Sequence, residues 1–286
     1  MPTILTAGDR QIDLSTPVCM GILNVTPDSF SDGALLAQSS STEFRVDVDK
    51  ALSRAHAMVA SGAQIIDVGG ESTRPGARAV SIAEESDRVL PVITALRANL
   101  DVCISIDTSS PDVMKAAIAA GAGMVNDVRA LTTSGATDVV AASDVAVCLM
   151  HMQGQPRTMQ QTYAYRDVVE DVLEFLQQRL AACRDAGIAR QRLVVDPGFG
   201  FGKSLAHNYT LLKSLRRFSV LEQPVLVGLS RKSMIGGVID RPVDERLAGS
   251  IAATTLALLG GASIVRTHDV AATMDAIRVH SAYSSV

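Results

Sequence analysis

Eight apolar, strand-like stretches recur along this chain, and each one ends in a polar or charged residue. Helix-like stretches separate them, which is typical of strands that pair in parallel and are buried on both faces. The eight stretches are VCMGILN (18–24), QIIDVGGES (64–72), VCISID (102–107), GMVND (123–127), VAVCLMH (145–151), RLVVD (192–196), PVLVGLSRK (224–232) and SIVRTH (263–268). Eight such units predict an α/β protein with a single (β/α)₈ TIM barrel, whose reactive groups lie at the carboxyl ends of the strands. The polar residues at the strand ends are therefore expected to converge on one mouth.

Size and composition fit one barrel domain over residues 1–286. The chain has 286 residues with a 47% hydrophobic share, enough to bury one large core. A formal net charge of −4 gives no global attraction to nucleic acid or to an anionic membrane. The four cysteines show no C-x-x-C spacing, which favours free thiols in a reducing compartment. With no signal-peptide pattern at its start, the chain is expected in the cytoplasm.

An N-terminal hairpin and a ring of helices complete the predicted barrel. Residues 3–14, within an N-terminal segment 1–15, alternate around a turn at 7–10, which indicates a β-hairpin that closes the bottom of the barrel. Stretches with an Ala-rich face and a polar opposite face predict the outer helices. These helices are expected at 42–61, 82–99, 111–120, 133–142, 166–186, 206–217, 243–259 and 270–282. The longest connections, 26–41, 69–81 and 152–165, are candidates for functional loops.

A glycine-rich stretch, DPGFGFGKS (196–204), ends like a phosphate-binding loop. That motif requires a glycine five residues before Gly202, where this chain has Pro197, and the dinucleotide-binding spacing fails at Lys203. Nucleotide binding is therefore not predicted here. Phe199 and Phe201 in this stretch, with Phe30 in an earlier loop, either form an apolar wall for a planar ligand or merely pack the loops.

The polar groups at the expected mouth have mixed charge. Acceptors at Asp107, Asn126 and Asp196 suit a heterocycle with an N–H edge. A second set, which suits phosphate oxygens or a ring carbonyl, comprises Arg74, Lys232, Arg266 and His268. The mixture predicts a polar ring that bears a phosphate. A strand-end acid can instead cap a helix, and a basic residue can be a solvated surface charge. For Asp67 and His151 that alternative stays open.

Eight motifs, in order along nearly the whole chain, resemble those of the dihydropteroate synthase family. They are MGILNVTPDSFSDG (20–33), DVGGESTRPG (67–76), SIDT (105–108), NDV (126–128), MHMQG (150–154), DPGFGFGK (196–203), GLSRKS (228–233) and RTHD (266–269). The first two motifs are long enough to be highly specific. The resemblance implies condensation of 6-hydroxymethyl-7,8-dihydropterin diphosphate with 4-aminobenzoate. The products would be diphosphate and 7,8-dihydropteroate, an intermediate of folate biosynthesis.

The same resemblance implies roles for individual residues and a homodimer formed through the late helices. It assigns the chemistry to Asp107, Lys232 and Arg266, and a Mg²⁺ ligand to Asn24. The pterin ring would lie against Asp107, Asn126, Asp196 and Lys232, with Arg266 over its face. Diphosphate would be held by Thr73, Arg74, Arg266 and His268. The aminobenzoate pocket would comprise Phe30, Pro75, Phe201 and Ser233.

Two other functions are compatible with a pterin-binding barrel. A methyltetrahydrofolate corrinoid methyltransferase would not need the stretches at 72–75 and 230–232, so their presence favours the synthase. A non-enzymatic pterin-binding paralogue would be expected to lose Asn24, Arg74 or Lys232, and all three are present.

Overall fold

The computed structural model describes residues 3–26, 46–71, 80–154 and 163–286, and in these ranges a short hairpin precedes an eight-stranded parallel sheet. The hairpin strands are β1 (Ile4–Ala7) and β2 (Arg10–Asp13). The sheet comprises β3 (Val18–Asn24), β4 (Ile65–Gly69), β5 (Cys103–Asp107), β6 (Met124–Asp127), β7 (Ala146–Met150), β8 (Leu193–Asp196), β9 (Leu226–Gly228) and β10 (Ile264–Thr267). The helices are α1 (Val48–Ala60), α2 (Ile82–Asn99), α3 (Pro111–Ala119), α4 (Ala136–Ala141), α5 (Val168–Asp185), α6 (Leu205–Lys213), α7 (Ser233–Ile239), α8 (Leu247–Leu259) and α9 (Val270–Ser284).

The parallel sheet curls into a nearly closed barrel. Its strand order is β8-β7-β6-β5-β4-β3-β10-β9, so β8 and β9 lie at the two edges. These edges meet through a parallel bridge between Val195 and Val225, and the Val195 amide donates to the Pro224 carbonyl at 3.0 Å. The (β/α)₈ barrel predicted from the sequence is thereby confirmed, and the carboxyl ends of all eight strands face the same side.

The hairpin closes the amino-terminal end of the barrel, as its position in the sequence predicted. Leu5, Ala7 and Ile12 pack in one apolar cluster with inward-facing strand residues such as Met20 and Cys103. The Gly8 amide also donates to the Asp144 carbonyl, just before β7, at 3.0 Å. Because this end is filled with apolar side chains, only the opposite end can admit a ligand.

Helix α2 has the predicted bounds, and a capping box fixes its start. The Ser81 hydroxyl accepts from the Glu84 amide at 3.2 Å, and the Glu84 carboxylate accepts from the Ser81 amide at 3.0 Å, which forms a capping box. Val89 and Ile93 point into the core between this helix and the barrel. None of the described helices is both long enough and apolar enough to cross a membrane.

One helix was missed, because the sequence predicted a strand as far as Lys232. Strand β9 ends at Gly228, and α7 begins at Ser233. Gly236 and Gly237 are poor helix formers, which hides α7 in the sequence. Packing explains Gly236, since a Cβ there would lie 2.4 Å from the Arg246 guanidinium carbon. Two other predicted helices, 206–217 and 243–259, each divide into an α-helix and a short 3₁₀ turn.

Candidate active site

The carboxyl ends of the strands bring the predicted polar residues together at the open mouth. Asp107 on β5 and Asn126 on β6 are register partners, and Asp196 ends β8. Arg266 lies on β10 and is in register with Gly228 of β9. The strand-end residues from distant parts of the chain therefore face one another across the barrel.

Arg266 forms a bridge between two carboxylates on different strands. Its Nε donates to Asp67 at 2.6 Å and its Nη2 donates to Asp107 at 2.7 Å. The Asn126 amide also donates to Asp67, at 3.0 Å. Asp67 is fully buried, so its charge requires this compensation. Burial opposes the charge of Arg266, but Asp67 and Asp107 outweigh that effect and raise the pKa of the guanidinium.

Asp67 is a site residue to which sequence reasoning gave no role. An acid among apolar neighbours in QIIDVGG was a signal that could have found it, since alternate residues of a barrel strand point inward. Asp107 was predicted, and its environment is unusual. Burial raises the pKa of Asp107 to about 7, although Arg266 acts in the opposite direction. With this pKa the carboxyl is only partly ionised at neutral pH, so a charged ligand at the mouth shifts its protonation.

Lys232 enters the mouth from the turn between β9 and α7. Arg231 adopts a left-handed conformation with φ of 57° and is held by two hydrogen bonds to Asp269, at 2.9 and 2.6 Å. Lys232 donates to the Phe199 carbonyl, and its Nζ lies 4.8 Å from the centre of the Phe201 ring. Burial lowers the pKa of Lys232 to about 8, against the opposing effect of Asp196.

The loop after β8 begins with a tight turn, in which Gly198 has a positive φ. The Asp196 side chain accepts from the Gly198 amide at 2.7 Å. Phe199 is fully buried in the core, so it packs the loop, whereas Phe201 is half-buried beside Lys232. Of the two phenylalanines in this stretch, only Phe201 can present its ring to a ligand at the mouth.

We expect Gly198→Ala to destabilise the protein by roughly 2–3 kcal/mol, by combining left-handed strain with overpacking. Gly198 has φ of +72°, and a Cβ there would lie 1.9 Å from the His151 carbonyl oxygen. Gly187 is a matched control, because its φ is +84° and no heavy atom lies within 4 Å of the position that a Cβ would take. Its alanine variant should lose only ~1 kcal/mol, the strain alone. Urea unfolding of both variants measures the difference, and equal losses would contradict the close approach.

His268, Ser233 and Asn24 lie at the edge of the mouth. The His268 Nδ1 lies 3.0 Å from the Ser230 hydroxyl, and burial lowers the pKa of His268 to about 3. This imidazole is neutral at pH 7, so it offers an N–H donor rather than a charge. Ser233 begins α7 directly after Lys232, and Asn24 ends β3. The Asn24 amide oxygen lies 3.3 Å from the position that a Cβ on Gly69 would take.

Four predicted site residues fall outside the described ranges. They are Phe30, Thr73, Arg74 and Pro75. The remaining predicted residues all occur at or beside the mouth. Among the described residues, no group of three acidic, histidine or cysteine side chains could hold a metal ion. All four cysteines lie in the described ranges and are buried free thiols, as the sequence predicted.

The chain has many relatives among known proteins. A family model described as "Pterin binding enzyme" matches residues 20–268. Dihydropteroate synthase of Haemophilus influenzae is 51% identical over 278 residues, which cover 97% of this chain and 98% of that protein. The chain belongs to the dihydropteroate synthase family. The Escherichia coli K12 synthase is 48% identical over 96% of this chain and 94% of its own length.

Solved synthase structures superpose along nearly the entire chain. The Yersinia pestis dihydropteroate synthase with a sulfonamide drug has a TM-score of 0.93 at 47% identity, covering 99% of this chain and 100% of that one. The Burkholderia cenocepacia dihydropteroate synthase in complex with 7,8-dihydropteroate has a TM-score of 0.87 at 46% identity. The match covers 99% of this chain and 97% of that one. Family membership thus extends to the barrel and the hairpin alike.

Proposed function

We propose that this chain is a dihydropteroate synthase. It joins 6-hydroxymethyl-7,8-dihydropterin diphosphate to 4-aminobenzoate and releases diphosphate, a transferase reaction of folate biosynthesis. The observation that carries the proposal is the mouth itself. In a member of this family, acceptors at Asp107, Asn126 and Asp196 face the cations Lys232 and Arg266 across one barrel opening.

The polar wall of the mouth matches the edge of a pterin. Asp196 accepts N–H groups of the ring, and Asn126, held by its hydrogen bond to Asp67, supplies both a donor and an acceptor. Lys232 donates to a ring carbonyl from its position over Phe201. The half-buried Phe201 ring then forms one wall for aminobenzoate.

The reaction develops charge that these side chains are placed to stabilise. Heterolysis of the C–O bond to diphosphate leaves negative charge on the leaving group and positive charge on the pterin methylene and ring. Arg266 and the N–H of His268 stabilise the negative charge on diphosphate. Asp107 stabilises the positive charge on the pterin. The aminobenzoate amine then attacks the methylene carbon and loses a proton. An aromatic amine requires little activation, so no nucleophilic triad is needed.

A Mg²⁺ ion would fit at Asn24. Its amide oxygen and the Asp107 carboxylate approach the same side of Gly69, within 3.3 and 3.8 Å of where a Cβ would lie. Mg²⁺ usually takes few protein ligands and completes its shell with phosphate oxygens and water. The ion would neutralise charge on the departing diphosphate. We expect Asn24→Ala to weaken the Mg²⁺-dependent part of diphosphate binding and to leave the Mg²⁺-free part unchanged, as measured by calorimetry.

A homodimer through the late helices is part of this proposal. Leu256 and Leu259 of α8 are 54% and 41% exposed. They border a groove of about 470 Å³ that also contains Tyr209, Leu212 and Arg216. Apolar side chains exposed along one face favour association with a second copy. Light scattering after size exclusion should give twice the chain mass, and Leu256→Glu should give the monomer mass.

We also propose that the enzyme works in the cytoplasm on small molecules, without nucleic acid or membrane partners. Four buried free cysteines suit a reducing compartment, and the net charge of −4 offers no attraction to anionic polymers. Fractionation of cells that express the tagged chain would test this location.

The direct test supplies purified protein with the pterin diphosphate, 4-aminobenzoate and Mg²⁺. The proposal requires 7,8-dihydropteroate and diphosphate in equal amounts. Transfer of a methyl group from methyltetrahydrofolate to a corrinoid, without synthase activity, would instead identify the methyltransferase. Pterin binding without either reaction would identify a non-enzymatic paralogue.

The kcat/KM for the pterin diphosphate should fall as pH rises above about 8. In the free enzyme Lys232 has a pKa of about 8, and only its protonated form donates to the ring carbonyl. Arginine stays protonated throughout this range, so Lys232→Arg should have lower activity but no decline near pH 8. A decline of the same midpoint in both proteins would rule out Lys232 as its source.

A further inference from the structure

The lysine of the phosphate-loop-like stretch is buried beneath the mouth, and none of the chemistry above uses it. Lys203 lies between β8 and α6 with only 2% of its surface exposed. Burial of an ammonium group is costly unless its N–H groups are satisfied. A buried lysine beside an active site therefore requires an explanation in its contacts.

Three of the four polar contacts of the Lys203 amine are with backbone carbonyls. Its Nζ lies 2.8 Å from the Gly198 carbonyl, 3.1 Å from that of Phe201 and 3.3 Å from that of His151. The fourth contact is the His151 ring Nδ1, at 2.9 Å. Carbonyls can only accept, so they favour the protonated amine, which has three N–H donors and no lone pair.

The histidine ring is matched to this arrangement. Burial and the neighbouring Lys203 lower the pKa of His151 to about 2, so the ring is neutral and one nitrogen can accept. Burial also lowers the pKa of Lys203, but Asp196 acts in the opposite direction. The three backbone carbonyls around the amine can only accept, so the ammonium form satisfies all of them, whereas a neutral amine with two N–H groups would leave one without a donor. We therefore treat Lys203 as an ammonium ion.

The loop curls around this ammonium with its carbonyls turned inward. Asn208 holds the outer side of the loop, because its side chain accepts from the Gly200 amide at 2.7 Å and donates to the Lys203 carbonyl at 3.2 Å. On the side that faces the mouth, the loop presents the Phe199 carbonyl and the Phe201 ring to Lys232. The orientation of both groups thus depends on how the Lys203 amine holds the Gly198 and Phe201 carbonyls.

We propose that Lys203 is a positioning residue, whose buried ammonium gathers the carbonyls of the loop between β8 and α6 and so fixes the Phe199 carbonyl and the Phe201 ring against Lys232. This inference rests on the proposed function, which assigns that wall to the two substrates. It accounts for the G-K-S sequence without nucleotide binding, because the Lys203 amine points into the protein.

The test is removal of the lysine side chain followed by rescue with a small amine. Lys203→Ala should lower kcat/KM by at least roughly tenfold, since small displacements at a site have large effects on rate. The KM for aminobenzoate should rise, because Phe201 is no longer held. Ethylammonium chloride should restore part of the activity in a saturable manner. Potassium chloride at equal ionic strength and ethanol, a neutral molecule of similar size, should not.

Lys115→Ala is the matched control, because Lys115 is exposed on α3. It should keep wild-type kinetics and show no response to the amine. Wild-type kinetics in Lys203→Ala would overturn the proposal, as would equal rescue by ethanol and ethylammonium. An inactive wild-type protein would instead overturn the proposed function, so the two failures are distinguishable.

If the Lys203→Ala protein does not fold, a measurement on the wild-type protein tests the proposal instead. In the wild-type protein labelled with ¹⁵N-lysine, NMR at pH 7 should show one ammonium group whose protons exchange slowly with water and contact the His151 ring. An amine-type ¹⁵N shift for this lysine would overturn the proposal.

Discussion

Asp107→Asn should lower kcat by roughly 100-fold or more, the loss seen when a preorganised electrostatic group is removed from a reaction centre. The amide keeps the shape of the side chain but removes the charge that stabilises the cationic pterin. Because that cation develops during the reaction, kcat should fall much more than the affinity for the pterin substrate. Steady-state and single-turnover kinetics with both substrates measure the two effects separately.

Asp112→Asn is a matched control for this variant. Asp112 lies five residues later, exposed in the first turn of α3. It undergoes the same chemical change away from the mouth, so its kcat should stay at the wild-type value. An Asp107→Asn enzyme with unchanged kcat and only a raised KM for the pterin would mean that Asp107 binds the ring without stabilising its charge.

The sequence could predict the barrel because local and global signals agree. The eight strand-like stretches are apolar and each runs into a polar residue, so their number can be read without knowing any contact, although β4, β7 and β9 themselves end at Gly69, Met150 and Gly228. Helix α2 has the predicted bounds, and the capping box of Ser81 and Glu84 explains why the helix begins there. Helix α7 was not, since Gly236 is explained by Arg246, which lies ten residues away and packs over it.

The ion pairs and hydrogen bonds inside the mouth could not be predicted from the sequence. The partners Asp67 and Arg266 are 199 residues apart, and nothing in either motif states that the guanidinium bridges two carboxylates. Phe199 and Phe201 look equivalent in DPGFGFGK, yet one is buried in the core and the other lies beside Lys232. Which of them faces the mouth depends on how the loop packs against distant parts of the chain, such as His151 at the end of β7, which contacts Lys203.

Arg266→Met should destabilise the folded protein by about 3–5 kcal/mol at neutral pH, the usual loss when one partner of a buried ion pair is removed. The variant leaves Asp67 and Asp107 without their shared cation, while methionine keeps most of the side-chain volume. Arg278→Met is the control, because Arg278 pairs with Asp275 on the exposed face of α9 and should have almost no effect.

The pH dependence of this loss has a definite sign. Asp107 already has a pKa of about 7 in the folded protein, well above the value of about 4 expected in the unfolded chain, and loss of Arg266 raises it further. A carboxyl with a raised folded-state pKa causes no loss of stability below its unfolded pKa, and the loss grows with pH until the folded-state pKa is reached. At pH 5 the ionisation of Asp107 lowers the free energy of unfolding equally in wild type and variant. Above about pH 7 it lowers the free energy of unfolding of the variant more. Urea unfolding should therefore give a larger difference at pH 8 than at pH 5. A difference that is equal at both values, or larger at pH 5, would show that Arg266 does not hold the charge of Asp107.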